Sequence, residues 1–315
     1  MRHFPGLWLF CLLLSAAPFS SALPADPKLL SLVPPAAEIV AGIDSTPPPN
    51  QPGSFVLITH ANTIDLKDFF ALTGVDSTRA VRHAIFVAAT GEAGHLTEHG
   101  LLIGGHFDRD RIYQSAIQGG AKVIDYRGTR VVEIEPFARE RNSFNDIRWL
   151  AILEPDVLLF GTVPIVQQEI DRRIAGNAAD PILVHRLAHM HHDDETWCVL
   201  SAPARNEEIR SALLALDSKL AGLAANGDVF AFGTRYRKQV EFEYEVTTAS
   251  TSATRTIADS LVRSLTGSQP GSSLLAPEEE TVSDHTVRGV VKIPTARFGA
   301  WLAQATAPGG RPASQ

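Results

Sequence analysis

The densest group of side chains that could do chemistry lies between residues 185 and 195, where histidines and acids are crowded together. Its members are His185, His189, His191, His192, Asp193, Asp194 and Glu195. If this segment is helical, His185, His189 and His192 fall on one face at i, i+4 and i+7 spacing, and imidazoles placed in this way can share a zinc ion. A zinc site on these three histidines is one hypothesis. Adventitious metal binding at the surface and a solvated connector between two modules are the others.

Other candidates for chemistry have simpler structural explanations. His106 and Asp108 have the H-x-D spacing of a non-haem iron site, but Asp108 also precedes a helical pattern that needs an N-cap near Arg109. Cys198 lies in the apolar stretch 197–200, which predicts a small buried side chain and not a reactive thiol. The sequence contains no G-x-S-x-G elbow, Walker loop or dinucleotide fingerprint. We therefore assign no catalytic residue and no cofactor, with zinc as the alternative.

The elements that would position these side chains are clearest in the second half of the chain. Hydrophobic periodicity predicts the order βαββαβ, which is typical of a ferredoxin-like arrangement. The predicted elements are a strand over 196–201, a helix over 206–223, strands over 228–234 and 238–247, a helix carrying Ile257, Leu261 and Leu265, and a strand over 285–293.

The strand over 238–247 alternates strictly between two kinds of side chain. Val240, Phe242, Tyr244 and Val246 lie on one face, and Glu241, Glu243 and Glu245 lie on the other. This pattern predicts a half-buried sheet in which the three glutamates face solvent.

The first half has a similar pattern of elements, with additional strands. The predicted strands cover 38–43, 82–89, 99–107, 122–126, 130–134, 148–153 and 157–161, and the predicted helices cover 66–72, 109–118 and 164–174. We therefore predict an α+β protein of two ferredoxin-like βαββαβ modules, the first with additional β-strands. The N-terminal module covers 23–192 and the C-terminal module 193–304, followed by a disordered tail over 305–315.

Four segments of the chain resemble an uncharacterised group of exported bacterial proteins. They are Leu32 to Asp44, Gly100 to Asp108, Tyr126-Arg127-Gly128 and Leu158 to Gly161. In that group a strand follows a P-x-x-A entry, a strand ends in G-x-F-D, and a hairpin turn carries Y-x-G. The resemblance covers residues 29–200 and adds to the fold argument. It implies no activity and no functional residue.

The first 22 residues have the pattern of a cleavable signal peptide. Arg2 supplies the positive charge, Leu7 to Ala17 form an apolar run, and Ser20-Ser21-Ala22 are small residues at the cleavage position. We expect export to the periplasm or the medium. Later apolar runs are too short and too often interrupted by charge to span a membrane. The formal net charge of −7, without a concentrated basic face, argues against nucleic-acid binding.

These observations favour an exported, non-catalytic protein that binds an unknown protein or small molecule. The alternative is a zinc-binding protein or a metal-dependent hydrolase that uses the histidines of 185–192. The arrangement of the distant histidines discriminates between the two hypotheses. If His60, His83, His99 and His106 converged on this segment they would favour a metal site, whereas scatter would favour the binding protein.

Overall fold

The computed structural model describes most of the chain between residues 23 and 296. The described ranges are 23–44, 81–90, 96–134, 148–201, 227–266, 279–283 and 285–296. Several predicted features lie outside these ranges: the signal peptide 1–22, the helices over 66–72 and 206–223, His60 and the tail 305–315.

The described residues form twelve strands and five helices. The strands are β1 Ile39–Asp44, β2 Val81–Thr90, β3 Leu96–Gly105, β4 Lys122–Tyr126, β5 Thr129–Ile134, β6 Arg148–Glu154, β7 Val157–Thr162, β8 Thr196–Ser201, β9 Gly227–Tyr236, β10 Val240–Thr248, β11 Glu279–Val282 and β12 Thr286–Ile293. The helices are α1 Pro27–Leu30, α2 Arg109–Gln118, α3 Val163–Ala175, α4 Pro181–Leu187 and α5 Thr251–Thr266. In the described ranges, no helix is both long enough and apolar enough to cross a membrane.

All twelve strands belong to one open sheet in which each strand runs antiparallel to its neighbours. The order across the sheet is β11-β12-β10-β9-β8-β1-β2-β3-β7-β6-β5-β4. The ladder at the middle joins β1 to β8, with Val40 opposite Val199. We call β1 to β7 the N-terminal half and β8 to β12 the C-terminal half.

Counted outward from the β1–β8 ladder, the two halves repeat one order of elements. β1, β2, β3 and β7 lie side by side in the first half, and β8, β9, β10 and β12 lie side by side in the second. A helix follows the third strand in each half, α2 after β3 and α5 after β10. Each half is therefore built outward from the middle of the sheet.

The α+β class is confirmed, and the fold is dominated by the antiparallel sheet. The ferredoxin-like arrangement is not confirmed. A split βαβ unit brings two strands joined through a helix to either side of another strand, whereas β8, β9 and β10 are neighbours in chain order. The helix predicted over 109–118 is confirmed as α2. Neither α1 nor β11 was predicted.

Helices cover both faces of the sheet. On one face α1, α3 and α4 pack Leu29, Ile165 and Leu187 into a core that includes Leu102 and Trp197. On the other face α2 and α5 each cover an apolar cluster, one in each half. On the α3 face the apolar core ends at Val229 and Ala231 of β9, and charged side chains continue outward from there.

Trp197 of β8 lies at the centre of this architecture. Its indole ring lies over Gly42 of β1, where a Cβ atom would be only 2.1 Å from the ring. The indole N–H donates a 2.9 Å hydrogen bond to the carbonyl of Pro24. A single side chain therefore joins the segment before α1, the first strand and the C-terminal half.

We expect Gly42→Ala to destabilise the protein by about 1–3 kcal/mol, because the added methyl group would overpack the contact with Trp197. Gly104→Ala is a matched control on β3, where the nearest atom, Cδ1 of Leu29, is 3.2 Å from the added Cβ and would have to shift by only a few tenths of an ångström. Urea unfolding measures both variants. Equal losses for the two glycines would contradict the proposed role of the Trp197 contact.

Candidate functional site

The candidate site lies on the C-terminal half of the sheet, on the face opposite α5. Side chains from β9, β10 and β12 meet there with residues that precede β8. The members are His189, Asp194, Arg235, Glu241, Glu243, Glu245, Arg288 and Lys292. We call this set the charged face.

The glutamates of β10 form the floor of the charged face. Strand register places Arg235 of β9 opposite Glu241 and Arg288 of β12 opposite Glu245. Arg235 Nε donates to Glu241 Oε2 at 3.0 Å, and Arg288 Nε donates to Glu245 Oε2 at 2.5 Å. The glutamate side chains are only 13–25% exposed. The prediction that they face solvent is therefore corrected.

Arg235 interacts with three carboxylates through one guanidinium. Besides Glu241, its Nη1 lies 3.3 Å from both Asp194 Oδ1 and Glu243 Oε2. The arginine side chain is 8% exposed. Three ionised carboxylates around a single buried cation would leave uncompensated negative charge, which favours a proton on one of them.

Asp194 is the most deeply buried of these carboxylates. Its side chain lies over Gly233, where a Cβ atom would be 2.0 Å from Oδ2, so the glycine makes room for it. Oδ2 has no hydrogen-bond partner among the described residues. Burial, followed by the Glu243 carboxylate, raises the pKa of Asp194 to about 8. The acidic run 193–195 was predicted as a possible solvated connector, and this buried member corrects that interpretation.

Arg237 attaches the two neighbouring acids to the end of β9. Its guanidinium donates to Asp193 Oδ2 at 2.6 Å and to Glu195 Oε1 at 3.0 Å. The carbonyl of Glu195 accepts a hydrogen bond from the amide of Asp44 at the end of β1. The segment before β8 is thus fixed to both halves of the sheet.

His185 and His189 lie close together, as their spacing predicted. Their ring centroids are 4.5 Å apart in an edge-on arrangement. Arg288 Nη2 donates to His189 Nδ1 at 2.9 Å. Burial, followed by the charge of Arg288, lowers the pKa of His189. His189 thus takes part in the charged face as a hydrogen-bond acceptor.

His192 lies in a different pair, because α4 ends at Leu187 and the helical spacing does not continue. Its ring stacks on His191 at 5.2 Å. Within the described ranges, the one group of three potential ligands with atoms within 4.8 Å of one another is His191, His192 and Asp193. His191 and Arg237 both donate hydrogen bonds to the Asp193 carboxylate, so a metal ion would have to compete with them.

The distant histidines have partners of their own in the N-terminal half. His83 lies 3.6 Å from Asp44, His106 accepts from Arg82 at 2.9 Å, and His99 accepts from Arg148.

Asp108 caps α2 by accepting from the amide of Arg111 at 3.1 Å. The N-cap explanation for Asp108 is confirmed.

Two further ionisable groups, Cys198 and Glu169, are buried away from the charged face. Cys198 is buried, as predicted, and burial raises the pKa of its thiol to about 12. Glu169 of α3 was missed, although it falls on the apolar stripe with Ile165, Val166 and Ile170. Its carboxyl is fully buried near Gly100, and neither oxygen has a hydrogen-bond partner among the described residues. Burial alone raises the pKa of Glu169 well above its ordinary value.

Comparison with known proteins yields a similarity of fold. No protein-family model matches the chain, and no curated protein matches it significantly. Among solved structures, crystal form I of the bacterial protein TP0453 is similar, with a TM-score of 0.52 and 10% sequence identity. The match covers 90% of this chain and 98% of that chain. The similarity therefore concerns the whole architecture and shows the fold alone.

The raised pKa values of Glu169 and Asp194 predict that stability falls as pH rises. Between the unfolded pKa near 4 and the folded pKa, the folded state holds a proton that the unfolded chain has released. Glu169→Met should flatten the decline by up to about 1.4 kcal/mol per pH unit in that window and raise stability at pH 8. Urea unfolding between pH 5 and 8 measures this effect, with exposed Gln168→Met on the same helix as control. A wild-type profile that rises with pH would contradict the assignment.

We expect Zn²⁺ to bind weakly and without structural consequence. A structural zinc site contributes on the order of 10 kcal/mol to folding, so a chelator would then lower the melting temperature markedly. Thermal melts with EDTA and with stoichiometric Zn²⁺ test this expectation on wild type and on His185→Ala/His189→Ala/His192→Ala and His191→Ala/His192→Ala/Asp193→Ala. A large EDTA effect that either triple variant reproduces would establish a native metal site.

Proposed function

We propose that this chain is an exported, non-catalytic binding protein whose contact surface is the charged face. One observation carries the proposal: α5 covers one side of β10 and β12, while the other side exposes a layer of ion pairs. On that side Arg288 and Lys292 are 43% and 37% exposed, whereas the glutamates beneath them are 13–25% exposed. Arg288 and Lys292 are the outer groups, and a partner would meet them first, whereas Arg235 lies beneath at 8% exposure.

The shape of the charged face favours surface contact over enclosure of a substrate. The hollow between His189, Glu243, Glu245 and Arg288 has a volume of about 10 Å³, which is room for roughly one water molecule. Enzyme and cofactor sites are usually clefts that enclose most of their ligand. The ionisable groups here are engaged with one another, which suits recognition of a complementary polar surface.

The separate partners of His83, His99 and His106 also support the binding hypothesis over a metal-dependent hydrolase. A zinc-binding protein is the second candidate, because the potential ligands His191, His192 and Asp193 lie close together. Asp193 would be the weakest zinc ligand of the three, since its carboxylate already accepts hydrogen bonds from His191 and Arg237. The alternation of arginine and glutamate across the face argues against nucleic acid, which needs a continuous basic surface. A protein or a polar small molecule is the proposed partner.

We also propose that the two halves arose by internal duplication, with a boundary at 192/193. The repeated strand order around the β1–β8 ladder supports duplication, although not through a ferredoxin-like unit. Export through a signal peptide over 1–22 remains part of the proposal, and it places the partner in the periplasm or the medium.

A photo-cross-linking amino acid at Lys292 or Arg288 tests the proposed function in cells. We expect the mature protein to begin at Leu23, to leave the cytoplasm, and to form a discrete cross-linked species from these positions. With the cross-linker at Lys292, where Arg288 is retained, the added charge reversal Glu245→Lys should reduce that species several-fold, because it disrupts the pairing that positions Arg288. Cross-linkers at Arg111 on α2 and Lys122 on β4 are controls away from the charged face.

Mass spectrometry of the cross-linked species identifies the partner, and N-terminal sequencing identifies the cleavage site. Cytoplasmic retention of the uncleaved chain would overturn export. Cross-linking from Arg111 and Lys122 as strong as that from the charged face, or no cross-linking at all, would overturn the choice of surface.

A further inference from the structure

A second concave site lies in the N-terminal half, away from the charged face. It is a cleft between α1, the turn that joins β6 to β7, and the C-terminal end of α3. Its volume is about 180 Å³. Because an engineered cavity of roughly 150 Å³ holds benzene, this cleft has room for a ligand built on one small ring.

The floor of the cleft is apolar and belongs to the core of the protein. Leu32, Leu153 and Val157 line it, and each is at least nine-tenths buried. Val157 pairs with Glu154 at the start of β7, Leu153 lies at the register shift between the paired residues Ile152 and Glu154 of β6, and Leu32 follows α1. The floor is therefore preformed and would accept an apolar body without rearrangement.

The rim of the cleft carries two cations, Lys28 and Arg173, which differ in how closely carboxylates contact them. Lys28 Nζ lies 2.6 Å from Glu154 and 2.9 Å from Asp156, so two carboxylates already neutralise it. Arg173 Nε forms an ion pair with Glu154 at 3.7 Å, a distance that is too long for a hydrogen bond. Its side chain is 38% exposed and makes no hydrogen bond to the described residues.

Next to Arg173, Arg172 stabilises the same end of α3. Arg172 donates to the carbonyls of Ser31 and Ala178 at 3.1 and 2.7 Å, so it both fixes α1 against α3 and satisfies groups at the helix terminus. Arg173 is therefore the basic side chain of this turn that remains available to a ligand.

We propose that this cleft binds a compact organic carboxylate, with its apolar body on the Leu32–Leu153–Val157 floor and its carboxylate on Arg173. A guanidinium matches a carboxylate with two parallel hydrogen bonds. Glu154 opposes the anion and limits its affinity. The site is independent of the charged face, so its existence does not depend on the function proposed above.

Benzoate is the probe, with benzamide as its neutral analogue of nearly the same shape. Titration followed by amide chemical shifts should locate benzoate at Leu153, Val157 and the end of α3. We expect a dissociation constant in the millimolar range, as befits so small a ligand. Benzamide should bind the wild-type protein roughly tenfold more weakly than benzoate does, and Arg173→Gln should weaken benzoate binding by about the same factor.

Glu154→Gln should act in the opposite direction and tighten benzoate binding several-fold, because it removes the repelling carboxylate. Arg111→Gln, an exposed arginine on α2, is the matched control and should leave binding unchanged. Thermal melts confirm that each variant folds. Benzamide binding as tight as benzoate, unchanged binding in Arg173→Gln, or no binding up to about 20 mM would overturn the proposal.

Discussion

The ladder between β1 and β8 is the contact on which the rest of the structure depends. Without it the sheet would divide into two smaller sheets, each with an additional exposed edge and its unpaired backbone groups. Trp197 strengthens this ladder because Gly42 leaves room for its indole against β1, and the hydrogen bond to Pro24 brings the segment before α1 into the same contact. Two sites lie next to this contact along the chain. The helix α1, which borders the cleft, follows Pro24, and the segment that supports the charged face directly precedes β8.

The charged face follows from strand register and not from any local motif. Alternation along β10 separates Glu241, Glu243 and Glu245 from the apolar side chains, and that separation is visible in the sequence. The arginines that cover the glutamates come from β9 and β12, and their positions depend on pairing between strands. A pattern of period two indicates which side chains of one strand share a face, but it does not indicate which side chains of the neighbouring strands pack against that face.

Predictions from the sequence were best where the signals were local. The bounds of α2 and its Asp108 cap were predicted correctly, since capping and helical spacing involve neighbouring residues. The order of strands could not be predicted, because β1 pairs with a strand far along the chain. The predicted arrangement of the three histidines was wrong for His192, because α4 ends at Leu187 and His192 does not lie on the same helical face as His185 and His189. Glu169 was visible as a carboxyl on an apolar stripe but was not recognised.

The position of β1 also determines when the chain can fold. Trp197 and Pro24 are 173 residues apart, so at about 5–20 residues per second roughly 9 to 35 s of synthesis separate them. Until β8 emerges, β1 lacks one of its two neighbours and the core on the α3 face lacks its indole. Contacts of such long range also slow folding itself. The topology therefore leaves the β1 edge of the N-terminal half unpaired until the chain has been synthesised as far as β8.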